Sequence, residues 1–285
     1  IYLILKRNLT MELPFENCFP ETEIAINASI KAGCDVVRLY HTGYTQKKKA
    51  DNSPLTDADI ASDKIIRNII SKTNIPILSE EKNDDLTRLN SKRVWIVDPL
   101  DGTSDFINKT DEFTIMISLV EDNHPLIGVI YCPTKDLLYV GQKDSGAYKF
   151  HNSLWTKLEV NKISNISKCR AMRSRHHFNQ IEKKFLDKLG LMNYTIKGSS
   201  LKVTEICEGN AELYFVISNS IKHWDTCASN CIIHESGGMM TDLLGNSIKY
   251  NVEKVFHENG ILVTNGKIHE TIVNEFKNQK DKILN

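Results

Sequence analysis

Several features that would assign a chain quickly are missing here. Its seven cysteines (Cys18, Cys34, Cys132, Cys169, Cys207, Cys227, Cys231) contain no CxxC pair and are odd in number. That counts against a disulfide framework and fits reduced thiols in a cytoplasmic protein. No apolar run approaches the roughly 20 residues of a membrane span, which excludes a helical membrane protein as the first expectation. The opening Ile1–Leu5 run is too short for a signal-peptide core, and Lys6-Arg7 follow it rather than precede it. Neither sign of charge is in excess: Lys+Arg and Asp+Glu are both 36. Bulk electrostatics therefore favour neither a nucleic-acid polymer nor an acidic membrane surface. There is no internal repeat, low-complexity tract or obvious linker. The chain also opens without methionine, and Met11 is a candidate natural start that would leave residues 1–10 outside the native protein.

What is present is an ordinary globular composition over 285 residues, 41% hydrophobic and 25% charged, enough for one large domain or two modest ones. Helical spacing predicts a first helix over 21–40, then a polar, lysine-rich loop with Lys47-Lys48-Lys49 solvated. A second helix is expected after a capping box at Thr56 and Asp59, with Ile65, Ile66, Ile69 and Ile70 on one face. Strands are expected at 76–78 and 94–97, then at 113–120, 127–132 and 137–140 as an antiparallel meander. From about residue 150 strands and helices alternate: strands at 170–172, 194–197, 212–217 and 260–263, helices at 180–189, 201–207, 225–234 and 267–277. The expected fold is mixed α+β and α/β, with an N-terminal antiparallel-sheet domain over 1–150 and a smaller α/β domain over 151–285.

The chain is organised around Trp95–Phe106, WIVDPLDGTSDF. A short strand breaks at Pro99 and Gly102, and Asp98 and Asp101 flank the break. Two carboxylates forced together repel by about 4 kcal/mol at 4 Å and an effective dielectric of 20, so such a pair needs a cation, a shared proton or basic partners. An ordinary Asp-Pro and Asp-Gly turn is the plain alternative. Other acids stand at element ends: Asp59 in a first helical turn, Glu80 after a short strand, Asp225 at a helix start. Each has a bland use as cap, surface acid or dipole partner. Together they suit a hard cation such as Mg²⁺, which prefers oxygen ligands. The i, i+4, i+8 spacing of His223, Cys227 and Cys231 could suggest zinc, but small thiols on a buried helix face explain it more cheaply.

Asp98-Pro99-Leu100-Asp101-Gly102-Thr103 with Phe106, and Trp224-Asp225-Thr226-Cys227-Ala228 running to Gly237-Gly238, resemble the two signature motifs of the inositol monophosphatase superfamily, Mg²⁺-dependent and commonly lithium-sensitive phosphatases. Asp59 and Glu80-Glu81 stand in the right order before them, so the resemblance covers nearly the whole chain. It implies a layered αβαβα sandwich. It further implies two or three Mg²⁺ held by Glu80, Asp98, Asp101, Asp225 and the Leu100 carbonyl, with water activated by Thr103 oriented by Asp59. The Gly102 and Thr103 amides would face the phosphate.

Within the superfamily, Lys49-x-Asp51-x-Ser53-Pro54-Leu55-Thr56-x-Ala58-Asp59 and Gly198-Ser199-Ser200-Leu201-Lys202 resemble 3′(2′),5′-bisphosphate nucleotidases. Ser199, Ser200 and Lys202 would then meet a second phosphate. Members acting on inositol tend to carry an acid where this chain has Ser218. Ser174, Arg175 and His176 are further candidate phosphate contacts, or else an irregular basic loop. For Lys202 the plain alternative is an exposed helical lysine. The resulting expectation is hydrolysis of a small phosphorylated nucleotide, adenosine 3′,5′-bisphosphate or its phosphosulfate relative, linking the chain to sulfur metabolism. An inositol phosphate phosphatase is the near rival and a non-catalytic cation- or nucleotide-binding regulator the distant one. A haloacid-dehalogenase phosphatase is disfavoured, because its paired aspartates are two apart and near the N-terminus. The sequence leaves monomer and homodimer open.

Overall fold

A computed structural model describes residues 12–284, with side chains to Lys280; the Met11 start and the opening apolar run lie outside the described residues. The first helix, α1 (Pro20–Thr42), starts on a proline at its first turn and buries Ala25, Ala28, Ala32 and Val36 along one stripe. The lysine-rich segment expected as a loop is a small antiparallel hairpin instead, β1 (Gln46–Lys48) against β2 (Pro54–Thr56). Its Asp51–Ser53 turn closes on itself through side-chain bonds to Asp51. Thr56 then caps α2 (Asp57–Ile70), with both halves of the capping box made.

Next comes a seven-stranded sheet of β3 (Ile77–Ser79), β4 (Arg93–Asp101), β5 (Thr114–Glu121), β6 (His124–Cys132), β7 (Leu137–Gln142), β8 (Gly146–His151) and β9 (Leu154–Lys157), in that spatial order. Only β3–β4 is parallel; the rest is a meander. The β5–β6 turn is tighter than expected. Glu121 pairs with His124, so Asp122 and Asn123 alone make the turn at φ 48° and 67°, as the twist-matched hairpin requires. The meander also runs two strands further than its alternation suggested, to Lys157, so a division at 150 would cut β8.

The second half builds a five-stranded sheet in the order β11-β10-β12-β14-β13, from β10 (Ala171–Ser174), β11 (Tyr194–Lys197), β12 (Leu213–Val216), β13 (Met239–Thr241) and β14 (Ile261–Thr264). Three apolar clusters separate five layers. One lies between α1/α2 and the large sheet. A second lies between the two sheets, around α5 (Leu201–Cys207) and α6 (His223–Glu235). The third lies between the small sheet and the outer pair α4 (Gln180–Lys188) and α7 (His269–Leu284). The short α3 (Thr103–Ile107) completes the α-helices among the described residues. The fold is thus a layered αβαβα sandwich.

The middle helix α6 lies very close to the large sheet. A Cβ on Gly128 of β6 would collide with the Ala228 carbonyl, and one on Gly141 of β7 would meet Ile232 at 3.0 Å. Cys227 and Cys231 face the same way, their thiols donating to Ser118 Oγ and the Gly141 carbonyl. All cysteines among the described residues are free. Both thiols are thus spent in packing α6 against the large sheet, in keeping with the plainer reading of that spacing. Gly128→Ala should lower stability by about 1–3 kcal/mol through overpacking, read as a lower urea midpoint. An unchanged midpoint would show that α6 can move off the sheet freely. No described helix is long and apolar enough to cross a membrane.

Candidate active site

The acids meet because of an irregularity in β4. In a regular strand, residues three apart point to opposite faces. Here Asp98 pairs with Met116 and Asp101 with Thr114, three steps opposite two. The extra residue is a β-bulge, and it turns Asp101 to the face that Asp98 occupies. Ser62 of α2 pins the bulge by donating to the Pro99 carbonyl at 2.6 Å. The parallel β3 aligns Ser79 with Val97, so Glu80 leaves its strand beside Asp98. Asp225 comes from the opposite side as the third residue of α6, close enough to raise the energy of the Asp98 charge.

Each of these carboxylates has one oxygen committed. Asp98 Oδ1 accepts from the Leu100 amide at 3.0 Å, and Asp225 Oδ2 from the Lys222 amide at 2.7 Å. Asp101 Oδ2 accepts from Ser199 Oγ at 2.7 Å and the Ser200 amide at 2.6 Å. Glu80 Oε1 accepts from Lys49 Nζ at 2.7 Å. Among the described residues no hydrogen bond reaches the other oxygen of any of the four. Burial and repulsion between like charges raise the three aspartates. Burial, then the charges of Glu80, Asp101 and Asp225, push Asp98 well up; burial, then Glu80 and Asp101, push Asp225 up to about 8. Burial also raises Asp101, against the opposing pull of Lys202 and its Ser199 and Ser200 bonds. Glu81 is lifted to about 7 by burial and by Glu80, although it too pairs with Lys49, at 2.5 Å. The free oxygens do not close into a ready-made cage, as expected for like charges facing one another. Anchored oxygen donors with an excess of negative charge fit a hard divalent cation.

Beside the acids stands a hydroxyl–carboxylate pair. Thr103 Oγ1 donates to Asp59 Oδ1 at 2.9 Å and lies 3.3 Å from the Leu100 carbonyl. Asp59 Oδ2 meanwhile caps its own helix through Thr56 N and Oγ1. Burial raises the Asp59 carboxyl, its hydrogen bonds opposing. Thr103 opens α3 directly after Gly102, whose φ of +89° places it in the left-handed region natural to glycine.

The inositol monophosphatase family pattern matches residues 20–281. The chain belongs to this family. The 3′(2′),5′-bisphosphate nucleotidase CysQ of Buchnera aphidicola is 35% identical over 232 residues, 78% of this chain and 84% of that one. CysQ of Escherichia coli K12 is 34% identical over 221 residues, 76% and 87% of the two chains. Among solved structures, CysQ from Bacteroides thetaiotaomicron, described as a bacterial member of the inositol monophosphatase family, superposes with a TM-score of 0.74 at 30% identity, covering 86% of this chain and 97% of that one. Metal dependence, typically on Mg²⁺, is general in the inositol monophosphatase family.

For this member of the family, the remaining candidate residues are placed unequally. Lys202 is buried rather than exposed, its ammonium donating to the Ser199 carbonyl; burial lowers its pKa, opposed by Asp101. Ser199 and Ser200 spend their hydroxyls on each other, Thr114 and Asp101. Arg175 and His176 lie beside the site but are paired with Asp105, and Arg175 with Glu112 as well. Ser174 Oγ accepts from the His177 amide. Ser218 bonds Ser220. Lys49, expected in a solvated loop, is tied to Glu80 and Glu81, while Lys47 and Lys48 are exposed. The sequence reading missed Glu112 and Asp105; their only signal was an acid adjoining each side of Phe106–Phe113.

Proposed function

We propose that the chain hydrolyses the 3′-phosphate of adenosine 3′,5′-bisphosphate, and of its 5′-phosphosulfate relative, with Mg²⁺ at the acid cluster. The observation that carries the chemistry is the Thr103–Asp59 pair beside three acids that burial and mutual repulsion hold up. Support for the substrate comes from similarity to the bisphosphate nucleotidases and from Ser218, a serine where inositol-directed members tend to carry an acid.

Glu80, Asp98, Asp101, Asp225 and the Leu100 carbonyl would hold Mg²⁺. When bound, Mg²⁺ neutralises charge on phosphate oxygens and makes nearby water more acidic. The chain does the rest by positioning. With its own proton committed to Asp59, Thr103 Oγ1 offers a lone pair to the attacking water. Asp59, raised by burial, can take up the proton passed through that hydroxyl. The Gly102 and Thr103 amides face the phosphate, and no side-chain nucleophile is needed. Ser199, Ser200 and Lys202 are the candidates for meeting a second phosphate, although the two hydroxyls are spent on Thr114 and Asp101 and the ammonium is buried against the Ser199 carbonyl.

A panel of adenosine 3′,5′-bisphosphate, its phosphosulfate relative, 3′-AMP and inositol 1-phosphate, assayed for phosphate release with and without Mg²⁺, tests the reading. Fastest Mg²⁺-dependent turnover is expected on the bisphosphate; faster release from inositol phosphate would overturn the substrate.

The acid cluster also has a thermodynamic signature. A carboxyl that titrates near 3.8 unfolded and about 8 folded, as at Asp225, binds its proton more tightly in the native state. Its contribution therefore disfavours folding increasingly as pH rises from about 4 to 8. In chelator, the urea midpoint should fall between pH 6 and pH 8.5, and saturating Mg²⁺ should flatten or reverse that slope. A metal-free midpoint that rises with pH over this range would contradict the repulsive cluster.

A further inference from the structure

Asp101 is held by a turn that belongs to the other half of the molecule, and the turn is itself held by an acid outside the cluster. Gly198-Ser199-Ser200 supplies both short bonds to Asp101 Oδ2. Ser199 sits at φ +55°, a left-handed conformation that a serine adopts only under constraint. The constraint comes from Glu112, just before β5. Its Oε2 accepts the Gly198 amide at 2.8 Å and also pairs with Arg175. The fit leaves no slack: a Cβ on Gly198 would meet Asp105 Oδ2 at 2.5 Å and the Glu112 carbonyl at 2.7 Å. Glu112 stays charged, because its bonds to Gly198 and Arg175 outweigh burial and hold its pKa below the usual value.

We infer that Glu112 is a positioning residue for cation binding: it fixes the Gly198–Ser200 turn, and through it aims the free oxygen of Asp101 into the acid cluster. Two layers of the sandwich are thereby coupled at the site, the segment leading into β5 contributing the acid and the β11–α5 connection contributing the turn. Side chains that orient ligating groups commonly carry 10–100-fold in metal affinity. Arg175 serves here as the partner that keeps Glu112 in place, not as a free phosphate donor.

This rests on the proposal that Asp101 binds Mg²⁺, but not on the identity of the substrate. The test is calorimetric titration of Mg²⁺ into substrate-free protein. Glu112→Ala should weaken Mg²⁺ binding about tenfold. Glu112→Gln, which keeps an oxygen for the Gly198 amide, should recover to within about threefold. In turnover, Glu112→Ala should shift the Mg²⁺ concentration for half-activation by the same factor and change KM much less. Affinity within twofold of the unsubstituted chain in Glu112→Ala overturns the inference. So does Glu112→Gln as weak as Glu112→Ala, which would point to charge rather than to the turn. Should Glu112→Ala fail to fold by circular dichroism, Glu112→Asp, one methylene too short to reach Gly198, replaces it with the same expected loss. No Mg²⁺ binding by the unsubstituted chain would refute the metal reading instead, and no bisphosphate turnover with normal Mg²⁺ binding would refute only the substrate.

Discussion

Asp101→Asn should lower kcat by about a thousandfold or more, with far-UV circular dichroism unchanged. Removing one preorganised charge-stabilising group typically costs 10²–10³ in kcat, and a metal site that loses a ligand loses more than one such contact. The substitution is nearly isosteric, and the direction of its effect follows from how Asp101 is held. Ser199 Oγ and the Ser200 amide both donate to Oδ2. The asparagine carbonyl oxygen must therefore take that place, which turns the NH₂ group toward Asp98 and Asp225. A donor then stands where a cation needs an acceptor. Without metal the same change relieves repulsion with Glu80, Asp98 and Asp225, so the metal-free variant should melt at or above the temperature of the unsubstituted chain. The joint result, turnover lost and metal-free stability kept or raised, separates a role in the cluster from a role in folding. Undiminished turnover would remove Asp101 from the site.

The architecture was legible where local chemistry and tertiary packing agree. The capping box at Thr56 and Asp59 announced α2, and the alanine stripe of α1 shows its buried face without any neighbour. Elements were missed where pairing rather than composition decides. β1 is Gln-Lys-Lys, fully exposed, and becomes a strand only because β2 lies beside it. β9 and β13 are similarly short, four and three residues, too brief for their apolar pairs to show a period of two. Pro125 was read as a turn residue, yet it sits inside β6 where a register shift next to Val120 leaves its missing N–H without consequence.

At the site, the acids themselves could be collected from the sequence because strand ends and helix starts are readable punctuation. How they come to face one another could not. The bulge between Asp98 and Asp101 depends on β5 offering two residues against three, a fact about pairing that the turn residues do not encode. The internal uses of Ser199, Ser200 and Arg175 were equally hidden. Such groups look like free anion donors until Asp101, Thr114 and Glu112, between 63 and 99 residues away, are found to hold them. Lys202 is the clearest case: it was expected as a phosphate contact, with an exposed helical lysine as the alternative, and the fold buries it against Ser199.

Thr103→Val should lower kcat by about 10²–10⁴, the usual range for a positioned proton-transfer group, with KM and Mg²⁺ affinity close to those of the unsubstituted chain. Valine keeps the branched shape and removes only Oγ1, so the loss isolates the hydroxyl. Two readings of that hydroxyl compete. In one it merely completes the hydrogen bonding of Asp59, whose Oδ2 is already occupied by Thr56. In the other it relays a proton from water to Oδ1. Stability and activity separate them. A completing role predicts a fall in melting temperature, since Asp59 is buried and would lose a partner, with modest loss of turnover. A relay predicts large loss of turnover from Thr103→Val and from Asp59→Asn alike. The double variant should then be no worse than the worse single one, because each group works only through the other. Thr103→Ser keeps the hydroxyl and should restore most of the rate. If the two single losses instead multiply in the double variant, Thr103 and Asp59 act independently, and the 2.9 Å bond between them is not the route the proton takes.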